Sequence, residues 1–165
     1  MRGFNLAQYE HRTLKAQQLM QQHELGALLL TTETNVRYFT GFLTRFWESP
    51  TRPWYLIIPQ SGKPIAVIPS IGEALMSKTW VEDIRTWPSP DLTDDGINLL
   101  SETLNEVAKK NRVGIPSGAE THVRIPRNDL IKLSQNVNLS HDFEIVKNLR
   151  MIKSKEEIIK IEKAC

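Results

Sequence analysis

The chain has 165 residues, with 21 Lys and Arg against 19 Asp and Glu and a formal net charge of +2. Hydrophobic residues make up 40% and charged residues 24%, which is typical of a folded globular protein and argues against a disordered chain. Basic and acidic residues are interleaved, which disfavours a nucleic-acid-binding face, and no apolar run approaches the roughly 18 residues of a membrane-spanning helix. The single cysteine is Cys165, so no internal disulfide is expected. With no apolar signal core at the N-terminus, these features predict a cytoplasmic protein.

The first element is a predicted helix. Asn5 is a candidate N-cap with Gln8 three residues later, and the helix is expected to run to about His23. Gly26 is expected to break it. Residues 27–32 are small and aliphatic without alternation, which is typical of a strand buried on both faces.

A short helical turn is predicted for residues 35–40, where Gly41 closes it. Residues 54–59 and 64–69 then read as two strands separated by a four-residue turn, so they are predicted to form a hairpin.

The second half of the chain alternates between helical and extended patterns. The predicted elements are a short helix at 71–78, a strand at 83–87, an amphipathic helix at 96–110, a strand at 113–115, a helix at 126–133, a strand at 137–139 and a helix or connection at 143–149. This alternation predicts a three-layer α/β fold with a mixed sheet.

The C-terminal residues carry a helix-start signal. Ser154 and Glu157 form a capping-box pattern, followed by isoleucines at positions 158, 159 and 161. The pattern continues to Cys165 without a stop signal. The helix either docks on its own domain or begins a second one, and the residues alone leave both interpretations open.

No assembled catalytic centre is evident. The four histidines lack metal-binding spacing, and helix N-capping explains the acidic cluster of Asp91, Asp94 and Asp95 better than a calcium loop does. Phosphate-binding glycine motifs and a G-x-S-x-G nucleophile motif are absent from the sequence.

One segment stands out chemically. Residues 45–55 hold four aromatic residues and two arginines. Such a loop either meets a ligand or partner, or its rings plug the sheet edge while the arginines are solvated.

Three motifs in order resemble one family. Residues 35–42 read N-x-x-Y-x-T-G-F, residues 4–12 resemble an F-x-x-x-E-Y-x-x-R helix, and residues 149–157 resemble an R-x-I-K-S-x-E-E linker. Gln8 and Gly26 replace acidic residues of the family pattern. The chain therefore resembles the N-terminal domain of the creatinase and Xaa-Pro peptidase (prolidase) family of pita-bread metallohydrolases.

The resemblance implies a mixed sheet flanked by helices, with a ribonuclease H-like motif. It also implies an N-terminal domain at 1–150, followed at 151–165 by a linker and the first helix of a C-terminal catalytic domain. The divalent metal pair would lie in that later domain, so this chain would hold no cofactor and be inactive alone. Its partners would be that catalytic domain, a second subunit in a homodimer, and a small-molecule or peptide substrate, with no nucleic acid and no membrane.

The resemblance also suggests substrate-binding residues. Arg52 precedes a Pro-aromatic stretch that resembles the carboxylate-binding loop of creatinase-like members, although Thr51 replaces a glycine there. Trp47 and Tyr38 are candidate walls of that site, and Arg45 is the competing arginine. No catalytic or metal-binding residue is assigned. The alternative function is a protein-interaction or peptide-binding module of a catalytically inactive homologue.

Overall fold

Strand β1 (Leu25–Leu30) forms the centre of the sheet. All six of its residues are buried, as predicted for a strand at 27–32, although the strand lies two residues earlier than predicted. Strand β2 (Tyr55–Pro59) pairs with it antiparallel, with Leu28 opposite Ile58. Strand β5 (Arg112–Ile115) pairs with its other side in parallel. β1 is thus the strand on which the two halves of the sheet meet. The computed structural model that shows this describes residues 3–49 and 52–165.

The remaining strands extend the sheet on both sides. β3 (Ile65–Pro69) forms the predicted hairpin with β2, β4 (Asp83–Trp87) runs parallel to β3, and β6 (Leu139–His141) runs parallel to β5. The order is β4-β3-β2-β1-β5-β6. Because only β2 runs in the opposite direction, the other five strands end where β2 begins. We call this side of the sheet the carboxyl edge.

Helices cover both faces, so the predicted three-layer α/β architecture is confirmed. The helices are α1 (Leu6–Gln22), α2 (Glu33–Thr40), α3 (Glu73–Met76), α4 (Ile97–Ala108), α5 (Arg127–Asn136), α6 (Ile145–Met151) and α7 (Lys155–Glu162). One core cluster joins the sheet to α1, α2, α3 and α6, and a second joins it to α4 and α5. Among residues 3–49 and 52–165, no helix is both long and apolar enough to cross a membrane.

Two local predictions near the N-terminus are confirmed. The Asn5 side chain accepts a hydrogen bond from the Gln8 amide at 3.0 Å, which caps α1. Gly41 ends α2 in the left-handed conformation, with φ of 74°, which glycine adopts without steric cost.

The role predicted for Gly26 is wrong. Helix α1 ends earlier, with His23 as its C-cap, and Glu24 turns the chain with φ of 54°. Gly26 instead lies within β1, where a Cβ would come 2.7 Å from the carbonyl oxygen of Ala108. The glycine is needed because α4 packs closely on the sheet. Strand β6, predicted at 137–139, lies two residues later, at Leu139–His141.

Helix α7 is tied to α1 by a partly buried ion pair between Arg12 and Glu157. The predicted capping box is present, and Glu157 also lies 3.0 Å from the Arg12 guanidinium, the two side chains being 5% exposed for Arg12 and 15% for Glu157. The Arg12 guanidinium lies 4.2 Å from the ring centroids of both Phe4 and Tyr38. No residue of α7 is buried, and its isoleucines are 45–49% exposed. Polar contacts therefore hold α7 more than apolar burial does.

Replacing Glu157 tests this contact. Glu157→Gln keeps the capping box, because glutamine serves at that position, but removes the charge opposite Arg12. We expect the free energy of unfolding to fall by about 1–3 kcal/mol, because Arg12 keeps its charge in a buried site without its partner. Urea denaturation measures the loss.

The control is Glu102→Gln, an exposed residue of α4. It removes the same charge and should leave the denaturation midpoint nearly unchanged. An equal loss in both variants would show that net charge, not the ion pair with Arg12, is responsible.

Candidate functional site at the carboxyl edge

The loop that enters β2 lies at the carboxyl edge. We call residues 45–49 and 52–54 the aromatic loop; Pro50 and Thr51, which sequence analysis places in it, lie outside the described residues. It begins with a 3₁₀ helix, Arg45–Glu48, capped by the Thr44 hydroxyl, which accepts a hydrogen bond from the Phe46 amide at 3.2 Å. Loops at the carboxyl ends of strands are where open α/β sheets bind ligands.

The two tryptophans of the aromatic loop belong to the core. Trp47 is 7% exposed and Trp54 is fully buried, with ring centroids 6.0 Å apart. Gly72 supports Trp54, because a Cβ there would come 2.1 Å from its ring. Phe46, 38% exposed, stacks on Trp54 at 6.1 Å. The rings plug the sheet edge, as one of the two interpretations expects, while Phe46 stays accessible.

Among the described residues, the two arginines of the loop have no acidic partner. Arg52 is half-buried, with its guanidinium 5.9 Å from the Phe46 ring centroid, and Arg45 is exposed. None of the ion pairs within residues 3–49 and 52–165 includes either arginine. The indole N–H groups of Trp47 and Trp54 are buried and have no hydrogen-bond partner in the part of the chain that the structure describes. The loop therefore presents several donors without acidic partners in the described chain, although it also carries one exposed carboxylate, Glu48.

Arg124 fastens this loop, and the sequence analysis missed it. Its backbone amide donates to the Thr31 hydroxyl at 2.9 Å, just past the end of β1. Its guanidinium lies 5.2 Å from the Trp47 ring centroid and donates to the carbonyl oxygen of Ser49. Burial lowers the pKa of the Arg124 guanidinium.

A sequence signal for Arg124 existed. Val123 and Ile125 on either side pack against the second core cluster, and the apolar–polar–apolar alternation places Arg124 on the other side of the chain. What the alternation does not show is which loop the arginine reaches.

Tyr38 lies elsewhere. Its hydroxyl donates to the carbonyl oxygen of Leu149 at 3.0 Å, and its ring faces Arg12. Burial raises the pKa of its phenol, and the nearby Arg12 charge partly opposes this. Within the described residues, the structure does not join Tyr38 to the aromatic loop. It connects α2 to the end of α6.

The acidic cluster has a structural role. Asp94 accepts hydrogen bonds from the amides of Ile97 at 3.0 Å and Asn98 at 3.2 Å, which caps α4 as predicted. Asp95 accepts from the Trp87 indole at 2.8 Å. Among the residues the structure describes, no group of three or more His, Cys, Asp or Glu side chains is arranged to hold a metal ion.

A family profile described as the creatinase/prolidase N-terminal domain matches residues 12–152. The chain belongs to this family. An uncharacterized hydrolase/peptidase from Sinorhizobium fredii is 26% identical over 168 residues, covering 98% of this chain and 42% of the relative.

Two solved structures share the fold. The prolidase from Thermococcus sibiricus has a TM-score of 0.74 at 21% identity, covering 92% of this chain and 39% of its own. The dipeptidase PepE from Mycobacterium ulcerans has a TM-score of 0.72 at 22% identity, covering 95% of this chain and 40% of its own. The chain therefore spans about two fifths of the length of these proteins.

Loss of the Arg124 side chain should loosen the aromatic loop. Arg124→Gln removes the contact with the Trp47 ring and the hydrogen bond to Ser49. One net hydrogen bond corresponds to roughly a 2- to 10-fold rise in local opening, so we expect amide exchange at residues 45–49 to accelerate by about that factor. Hydrogen-exchange mass spectrometry measures it.

Arg127→Gln is the matched control, since Arg127 is exposed at the start of α5. Amide exchange at residues 45–49 in this variant should equal that of the unaltered chain. Unchanged exchange at 45–49 in Arg124→Gln would contradict the fastening role.

Proposed function

We propose that this chain is the non-catalytic N-terminal domain of a metal-dependent hydrolase of the creatinase or Xaa-Pro dipeptidase type. In this proposal it takes part in a homodimer and lends an arginine to the substrate site of the neighbouring subunit. The observation that carries the proposal is the aromatic loop: a family member presents two arginines without acidic partners in the described chain, on a loop at the carboxyl edge.

The chemistry of the loop suits a carboxylate. A guanidinium forms two parallel hydrogen bonds with a carboxylate, and a neutral or apolar substrate would not need such a group. Arg52 is the favoured ligand because Phe46 limits its freedom, while Arg45 is more exposed. The exposed face of Phe46 supplies apolar contact next to the arginine. Trp47 packs in the core and stabilises the loop.

The described residues do not fit a dinuclear metal site, since they bring no three metal-binding side chains together. We therefore place the metal pair, and the water it activates for C–N bond cleavage, in the part of longer relatives that this chain does not cover. Helix α7 would lead into that part, and the partly buried Arg12–Glu157 pair would fix its direction.

The steady-state kinetics of the full-length hydrolase test the role of Arg52. We expect Arg52→Ala to raise KM for a carboxylate substrate such as an Xaa-Pro dipeptide roughly 10- to 100-fold, because a charge-assisted hydrogen bond is lost. The metal content should stay unchanged. Arg52→Lys should recover only part of the affinity, because lysine lacks the planar fork.

Arg127→Ala is the control and should leave KM unaltered. A rise in KM for Arg45→Ala with no change for Arg52→Ala would assign the role to the competing arginine. Unchanged kinetics in both variants would contradict the role of the loop arginines, whereas a full-length protein that shows no turnover would favour the alternative, a peptide-binding module of a catalytically inactive homologue.

A further inference from the structure

A second feature of the carboxyl edge is a cleft between the ends of β1 and β5 and the side of α6. Its volume is about 310 Å³, close to the lower limit for small-molecule pockets. From β1 the chain continues toward β2, but from β5 it continues toward β6 on the other side. Ligands of open α/β sheets bind where neighbouring connections diverge in this way.

The lining of the cleft is predominantly cationic. Its charged or titratable side chains are Glu120, His122, Lys147, Arg150 and Lys153. Lys147, Arg150 and Lys153 are positively charged at neutral pH, and Glu120 is the one carboxylate among them. Lys147 is also paired with Glu144 at 3.0 Å, and both of these side chains are partly exposed, so this pair is weak.

Two of the cations have no acidic partner within residues 3–49 and 52–165. Lys153 donates only to the carbonyl oxygen of Met151 at 3.0 Å, and Arg150 donates to the side-chain oxygen of Asn35 at 2.8 Å. Because a guanidinium has five N–H groups, most donors of Arg150 stay free.

Asn35 adds a neutral donor. It is 7% exposed and lines the cleft. Arg150 orients it by donating a hydrogen bond to its side-chain oxygen. Its side-chain nitrogen has no hydrogen bond in the described parts of the chain. An amide donor of a largely buried residue beside these cations fits an oxygen acceptor that carries negative charge.

We propose that this cleft binds a small organic anion through a carboxylate or phosphate group held by Arg150, Lys153 and the Asn35 amide. The volume admits a molecule the size of a dicarboxylate or a small phosphate ester. The residues of this site lie on α2, on α6 and the residues that follow it, and on the segment after β5. The proposal therefore does not depend on whether the aromatic loop binds a carboxylate.

NMR titration of the ¹⁵N-labelled 165-residue chain tests the site. The probes are inorganic phosphate and succinate, each at constant ionic strength set with sodium chloride. We expect saturable shifts of the amides of residues 35, 121 and 150. Saturation with phosphate alone, with succinate alone or with both would identify the group that the cleft accepts.

Lys153→Gln is the informative variant, because Lys153 is exposed and its loss should leave the fold intact. It should weaken anion binding by about fivefold. Lys147→Gln should weaken it as well. Lys132→Gln, an exposed lysine of α5 that does not line the cleft, should bind as the unaltered chain does.

Two results would overturn the proposal. One is that neither probe shifts these amides more than chloride does at equal ionic strength. The other is that Lys132→Gln weakens binding as much as Lys153→Gln, which would mean a general charge effect and no site.

Discussion

The direction of strand β1 is the constraint on which the rest of this domain depends. Its six buried residues force a partner on each side, antiparallel β2 and parallel β5. With the remaining strand pairings, five strands end at the edge where antiparallel β2 begins. Loops from both sides of the sheet therefore lie at this one edge. The aromatic loop and the cationic cleft both lie at this edge because of strand direction, although Arg150 and Lys153 of the cleft are far from the loop in sequence.

A second constraint is the buried charge of Arg12. Arg12 is nearly fully buried, and its charge is stabilised by the Glu157 carboxylate, the Tyr38 carbonyl oxygen at 2.6 Å and the ring faces of Phe4 and Tyr38. Burying a charge requires such partners. These contacts bring together residues of all three motifs that suggested the family. The motifs therefore share one structural task, which is to hold the linker helix against the sheet domain.

The sequence predicted the elements well because most of them depend on local signals. The Asn5 cap, the Gly41 stop and the apolar run of β1 act within a few residues. Gly26 was misinterpreted because its reason is tertiary: the backbone of α4 passes too close for a Cβ. The loop arginines were found from composition. Arg124 was missed and Tyr38 was grouped with the loop, because no local pattern reveals which distant backbone a long side chain reaches.

Under the proposed function, the sheet domain would supply ligand-binding groups to chemistry that occurs in another domain. The most direct test is a crystal structure of the full-length protein with a proline-containing dipeptide bound. We expect the dipeptide carboxylate to lie within about 3 Å of the guanidinium nitrogens of an aromatic-loop arginine from the neighbouring subunit. A carboxylate held only by residues outside this domain would contradict it.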